Sequence, residues 1–290
     1  MPSDNSASVR PLSKPPDVLG PRRRQTHVIR RRPDRRVVSR PREVNRANTA
    51  SIGCMVVAIP ARNEAASIAD CLTSIDRAAR GCRMPVVVTV AADGCRDETA
   101  AIARATPTVH SRVTVIEGLW HGAGRARAAA VDSALAVVER ELSTVWVANT
   151  DADCVVPANW LRRQLRAANS GIHAVAGVVA LDPTTTPDSL LARFAATYDR
   201  RGPTHRHVHG ANVGLRADCY RLVGGWSTHT VIGEDHDLWR RLMAANLHLG
   251  QPTDLTVTTS SRTSGRVAGG FASRLSRLGR QAPYQARPAS

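Results

Sequence analysis

Aromatic side chains are scarce in this chain: two phenylalanines, three tyrosines and five tryptophans, 3% of 290 residues. Its core must therefore be filled mainly by Val, Leu, Ile and Ala. Long apolar runs are missing too. A membrane span needs about 20 consecutive apolar residues, and the longest run, around Ile172–Leu181, is far shorter and contains Gly177. An integral membrane protein is not expected, whereas a peripheral one stays open. Lysine is almost absent, Lys14 standing alone, so the positive charge is carried by arginine. Genome composition and recognition of an acidic partner would each produce that bias. The six cysteines (Cys54, Cys71, Cys82, Cys95, Cys154, Cys219) contain no C-x-x-C pair. That spacing suits reduced thiols better than a zinc site or a disulfide framework. No apolar stretch of secretory type follows Arg22–Arg24 or Arg30–Arg32. The cytoplasm is the expected compartment.

What is present describes an ordinary globule, with 42% hydrophobic and 22% charged residues. The length fits one large domain, or one domain with appendages. The net charge of +16 is unevenly spread. Residues 1–50 hold 13 basic and 4 acidic side chains, against 27 and 20 in the remaining 240. This first segment is rich in Pro, Arg and Ser without apolar periodicity, and reads as a disordered tail. Its arginines suit acidic lipid or nucleic acid, or simply solvent. The folded body is expected over 51–260, followed by an irregular Ser/Gly/Arg-rich tail over 261–290.

Within the body, short apolar runs alternate with helical patterns. Strands are expected at Cys54–Ile59, Pro85–Ala91, Arg112–Ile116 and Val145–Asn149. Helices are expected at Glu64–Ala79, Asp97–Ala105, Arg125–Leu142 and Pro157–Ala168. That alternation implies an α/β fold whose parallel sheet has right-handed crossovers. Ligands of such sheets sit beyond the carboxyl ends of the strands. The second half is less regular: strands at His173–Leu181 and His207–Leu215, helices at Asp188–Arg200 and Asp235–Ala245, and a turn at Gly224–Trp226.

The chemistry concentrates at strand ends. Asp151 and Asp153 follow the fourth strand, and extended backbone would turn both carboxylates to one side. Such a pair suits a divalent cation, Mg²⁺ or Mn²⁺, completed by waters and phosphates. It equally suits a turn and a helix cap. Gly233-Glu234-Asp235-His236-Asp237 opens a helix, where acids favour the helix dipole without any catalytic role. The alternative is that one of them is a general base. Gly122-Ala123-Gly124-Arg125-Ala126-Arg127 has Arg127 where a dinucleotide fingerprint needs its third glycine, and follows the third strand. It remains a candidate phosphate-facing turn. His205, His207 and His209 alternate, as a polar rim or as a metal-binding face.

The order of these motifs is more specific than any one of them. Pro60-Ala61-Arg62-Asn63-Glu64 ends the first strand, Ala92-Asp93-Gly94 the second and Asp151-Ala152-Asp153 the fourth. Gly210-Ala211-Asn212, Gly224-Gly225-Trp226 and Gly233–Leu238 follow. This succession over residues 54–260 resembles the family-two glycosyltransferases of the GT-A fold. The resemblance implies a mostly parallel central sheet flanked by helices, with a donor half over 51–154 and an acceptor half over 155–260. It implies inverting, metal-dependent transfer from a nucleotide-diphospho-sugar to a hydroxyl acceptor. By similarity, Pro60, Arg62, Glu64, Asp93, Arg125, Arg127 and Asp151 serve the donor, with Asp153 and Asp151 at the metal. Asp235 would be the catalytic base, and Glu234 would help orient the acceptor or the base. Asn212 and Trp226 are acceptor candidates, and Arg262 and Arg266 diphosphate candidates. The sequence departs from the family at Ala92, which leaves Asp93 without its usual paired aspartate. It also lacks Q-x-x-R-W, so a single addition is expected in place of processive synthesis. Competing classes are a non-catalytic relative of the same fold, a nucleic-acid binder acting through the tail, a dinucleotide oxidoreductase and a nucleotidyltransferase.

Overall fold

In the computed structural model, residues 50–198, 200–230, 232–262 and 271–280 are described. The proposed tail over 1–49 and Arg266 lie outside them. The chain runs β1 (Cys54–Ala61), α1 (Ile68–Ala79), β2 (Val86–Asp93), α2 (Thr99–Ala105), β3 (Arg112–Gly118) and α3 (Ala123–Ala136). Next come β4 (Val145–Asn149), β5 (Cys154–Val155), α4 (Trp160–Asn169), β6 (Ala174–Ala176), β7 (Val178–Leu181) and α5 (Asp188–Thr197). The remainder is β8 (Arg200–Arg201), β9 (Thr204–His205), β10 (Val213–Arg216), α6 (Ala217–Leu222), α7 (Glu234–Ala244), β11 (Leu249–Gly250), β12 (Thr256–Thr259) and α8 (Phe271–Arg280).

The main sheet has seven strands in the order β11-β6-β10-β4-β1-β2-β3. β4, β1, β2 and β3 are mutually parallel, while β10 runs antiparallel to both β4 and β6. The GT-A architecture, mostly parallel and flanked by helices, is thus present. β1 is central, and its run Cys54–Ile59 is buried on both faces, as a covered parallel strand requires. On one face Ile68, Cys71, Leu72 and Ile75 of α1 pack with Trp160 and Leu161 of α4. On the other, Ala126, Ala130, Val131 and Ala134 of α3 pack with Leu238 and Leu242 of α7. Small alanines let α3 approach the sheet closely. The few tryptophans are placed with care: buried Trp146, Trp160 and Trp226 donate their indole N–H to Gln164, Asn212 and Asn149 respectively.

The expected strand His173–Leu181 is split at Gly177, with β6 in the main sheet and β7 in a second sheet of order β5-β12-β7. A Cβ on Gly177 would lie 2.2 Å from Asn212 Nδ2 and 2.3 Å from the Leu255 carbonyl oxygen. Only glycine admits that crossing. The expected strand His207–Leu215 is shortened in the same region, because Gly210–Asn212 forms a 3₁₀ turn before β10. The expected irregular stretch over 261–290 contains α8. Phe271, Leu275 and Leu278 recur at helical spacing, and Leu275 and Leu278 are buried with Leu190, Phe194 and Tyr198 of the α5 region. The helix is held by that packing, which the surrounding Arg, Ser and Gly conceal.

Candidate active site

The strand order reverses direction of growth at β1, between β2 and β4, and a cleft of about 690 Å³ opens beside their carboxyl ends. Pro60, Arg62 and Glu64 border it beyond β1, Asp93 at β2, and Asp151 and Asp153 beyond β4. Arg127 from α3, Glu234 and Asp235 from α7, and Arg262 beyond β12 complete this group.

Asp151 and Asp153 do come together, by a different local geometry from the extended one. A turn closes when the Cys154 N–H donates to the Asp151 carbonyl (3.0 Å). The two carboxylates and the Cys154 thiol then offer atoms within 4.8 Å of one another. Burial pushes Asp153 up to about 6, reinforced by Asp151 and Glu64 and opposed by Arg262. Burial also pushes the Cys154 thiol well up, leaving it protonated and the carboxylate oxygens as the available donors. The Arg262 guanidinium donates to both Glu64 oxygens (2.8 and 2.5 Å) and to Asp153 Oδ2 (2.9 Å). A cation thus already bridges two of these acids. The oxygen-only donor set and its demand for positive charge fit Mg²⁺ or Mn²⁺.

Arg127 links the two acidic groups. It is 2% exposed, and donates to Asp151 Oδ1 (2.6 Å) and Glu234 Oε1 (3.0 Å). Its guanidinium lies 4.9 Å from the Trp226 ring centroid. Burial opposes its charge, but Asp151 and Glu234 outweigh it and hold the proton more firmly. Gly210 leaves the room this head needs, since a Cβ there would meet Arg127 at 2.8 Å. Asp235 is fixed from two sides: Oδ2 accepts the Gly210 N–H (3.0 Å) and Oδ1 the His236 N–H (2.8 Å). Left-handed Gly233 (φ 79°) starts α7 and aims these acids at the cleft.

Other candidates fall elsewhere. Arg125 is two residues from Arg127 on α3 and so faces away; it donates to the Thr228 carbonyl and does not border the cleft. Asn212 is fully buried, its amide donating to the Val178 and Leu255 carbonyls (2.9 Å each) where β6 passes into β7. Trp226 is 2% exposed beneath Arg127. Both are structural, because neither reaches the cleft to touch an acceptor. Asp93 borders the cleft, but its carboxylate accepts the N–H groups of Trp120 (2.6 Å), His121 (2.9 Å) and Gly122 (2.9 Å). That contact shapes the loop leading into α3.

A further wall of the cleft consists of Arg206, His207, His209, Ile232, Phe271 and Arg274. The histidines do not form a metal cluster among the described residues. Their rings stack instead, His205 on His207 and His207 on His209, each pair 6.0 Å between centroids. Alternation of His205, His207 and His209 signalled this polar wall; nothing local signalled the part α8 plays in it.

The fold matches solved glycosyltransferase structures. S. aureus TarS residues 1–349 in complex with UDP-GlcNAc superposes with a TM-score of 0.53 at 16% identity, covering 78% of this chain and 65% of that one. Mannosyltransferase PcManGT from Pyrobaculum calidifontis, in complex with GDP-Man and Mn²⁺, gives 0.51 at 21%, covering 73% and 58%. The chain therefore spans less than two thirds of the length of either. No curated protein matches it. The family model described as glycosyl transferase family 2 matches residues 56–223, more than half of the sequence. On that match and this architecture, the chain belongs to glycosyl transferase family 2 and has the GT-A fold.

Proposed function

We propose that the protein transfers a glycosyl group from a nucleotide-diphospho-sugar to a hydroxyl acceptor, with inversion, and with Mg²⁺ or Mn²⁺ held by Asp151 and Asp153. The observation that carries this reading is the meeting, at one switch-point cleft, of the Asp151/Asp153 pair and the Glu234/Asp235 pair through Arg127. A donor half over 51–154 and an acceptor half over 155–260 follow from it. The UDP-GlcNAc bound to TarS and the GDP-Man and Mn²⁺ bound to PcManGT support the donor class.

Pro60, Arg62 and Glu64 border the nucleotide end of the cleft. Arg262 is placed to exchange its carboxylates for the donor's diphosphate, since it already lies between Glu64 and Asp153. When bound by Asp151 and Asp153, the cation would supply charge neutralisation for the diphosphate leaving group. Asp235 accepts the acceptor's hydroxyl proton as that oxygen bonds to the anomeric carbon and the bond to the diphosphate breaks. Each Asp235 oxygen accepts one main-chain N–H, which orients the carboxylate and leaves lone pairs for that proton. Glu234, fixed by Arg127, keeps the first turn of α7 in register with Asp151. One displacement without a covalent intermediate inverts the anomeric centre.

All six cysteines are free, which suits the reducing cytoplasm. Among the described residues no helix is long and apolar enough to cross a membrane. Basic residues 1–50 are assigned to peripheral contact with acidic lipid.

The test is slow transfer to water. UDP- and GDP-sugars are incubated with Mn²⁺ and the released sugar is followed by proton NMR. Release of the opposite anomer, at a rate abolished by Asp235→Asn, is expected. Retained configuration, or equal rates for Asp235→Asn and wild type, would overturn the reading.

A further inference from the structure

The cleft's arginines divide into two kinds. Arg127 and Arg262 are each spent on two carboxylates. Arg206 and Arg274 border the same cleft, yet among the described residues neither forms an ion pair. They flank a ring surface. His207 and His209 stack nearly parallel, at 8° and 6.0 Å. Phe271 meets His209 edge-on at 6.3 Å. Tyr198 buttresses them from behind: its ring lies 4.3 Å from His207, and its hydroxyl 2.6 Å from His209 Nε2. Phe271 and Arg274, three residues apart on α8, share a helix face. Burial, His207 and Arg274 together hold His209 neutral, pushing it down to about 3. Two guanidinium groups without a carboxylate partner among the described residues thus border the same wall as the neutral His209 ring.

We propose that this wall is the acceptor subsite, and that it selects an acceptor carrying an oxyanion, a phosphate or a carboxylate, beside a sugar or similarly flat ring. The proposal rests on the donor assignment above. The guanidinium fork takes either oxyanion through two parallel N–H···O bonds. Phe271 and His209, which border the cleft beside Arg274, give the apolar side of a sugar something to lie on. Neither guanidinium is held by a carboxylate among the described residues, so both can turn to an anion in the cleft.

The experiment uses the full chain with Mn²⁺, its donor site filled by whichever of UDP or GDP binds more tightly. Glucose 6-phosphate, glucuronate and glucose are titrated by calorimetry. At least one acidic sugar should bind about tenfold or more tightly than glucose, the scale of one hydrogen bond to a charged group. Preference between the two distinguishes a phosphate from a carboxylate acceptor. Arg206→Gln and Arg274→Gln should each remove most of that advantage and leave nucleotide affinity unchanged, while Arg→Lys at either position restores part of it. Equal affinity for acidic and neutral sugars would overturn the proposal. So would parallel loss of nucleotide affinity in both variants, which would assign the arginines to the donor's diphosphate. The same titrations without nucleotide read the subsite alone, so failure of UDP and GDP to bind counts against the donor assignment only.

Discussion

Arg127 Nη2 lies 2.6 Å from Asp151 Oδ1, in an ion pair whose arginine is almost completely shielded from water. The pair ties α3 to the end of β4, and the second fork of the same guanidinium reaches Glu234 on α7. Three segments far apart in sequence thus share one buried charge. Replacing Arg127 with Met leaves both carboxylates without it. The expected cost is about 3 kcal/mol in urea unfolding, the low end for removing one partner of a buried pair, because Asp151 still reaches solvent. Arg127→Lys keeps the charge but cannot span both acids, and should be intermediate in stability and deficient in transfer.

Asn212 stitches the crossing of β6 into β7 and also accepts the Trp160 indole N–H (2.9 Å). Asn212→Ala should cost about 2–4 kcal/mol, since three buried groups lose their partner. Gly177→Ala should destabilise by about 1–3 kcal/mol, through overpacking against Asn212. In both variants donor affinity, measured below the melting transition, should match wild type. A selective loss of acceptor-dependent activity at full stability would restore Asn212 to the acceptor site.

Acid sensitivity has a named source. The unfolded chain's His209 takes up a proton near pH 6.5, whereas in the fold burial, His207 and Arg274 push it down to about 3. Below about pH 6.5 the unfolded state therefore binds more protons, and stability falls with pH until about 3. His173, lowered by burial and by Arg216 and His248, acts in the same direction. Asp76 acts only at lower pH. Burial opposes its charge, but the Ser111 hydroxyl and the N–H groups of His110, Val109 and Ser111 outweigh it. Its contribution is present above the ordinary Asp range and lost as pH falls through it. Melting temperatures between pH 7.5 and 5 should fall more steeply for wild type than for His209→Gln.

Helix α8 holds its place through Leu275, which is fully buried. Leu275→Ala should cost about 2–5 kcal/mol if α8 melts with the body. It should also expose α8 itself, Phe271–Arg280, to limited proteolysis. Unchanged stability would detach α8 from the folded unit.

The first half of this fold was legible because each element announces itself locally. Apolar runs such as Cys54–Ile59 sit at the sheet's centre, and Asp151 and Asp153 follow one directly. The second half depends on partners distant in sequence. Gly177 breaks a strand because of Asn212, and Arg127 is spent on Asp151 and Glu234. The glycine-rich turn favoured Arg125, and the family resemblance Asn212 and Trp226, as ligand contacts, but helix periodicity turned Arg125 outward and burial took the other two. Motif order located the acids. It said nothing of Arg206, Arg274 and Phe271, because a cleft wall built from a loop and a distant helix has no contiguous signature.

Calorimetric titration of UDP and GDP, with and without Mn²⁺, on wild type, Asp153→Asn and Asp235→Asn separates the roles of the two acidic pairs. Mn²⁺-dependent binding of one nucleotide is expected, lost in Asp153→Asn and retained in Asp235→Asn. Binding indifferent to Mn²⁺, or equal loss in both folded variants, would contradict it.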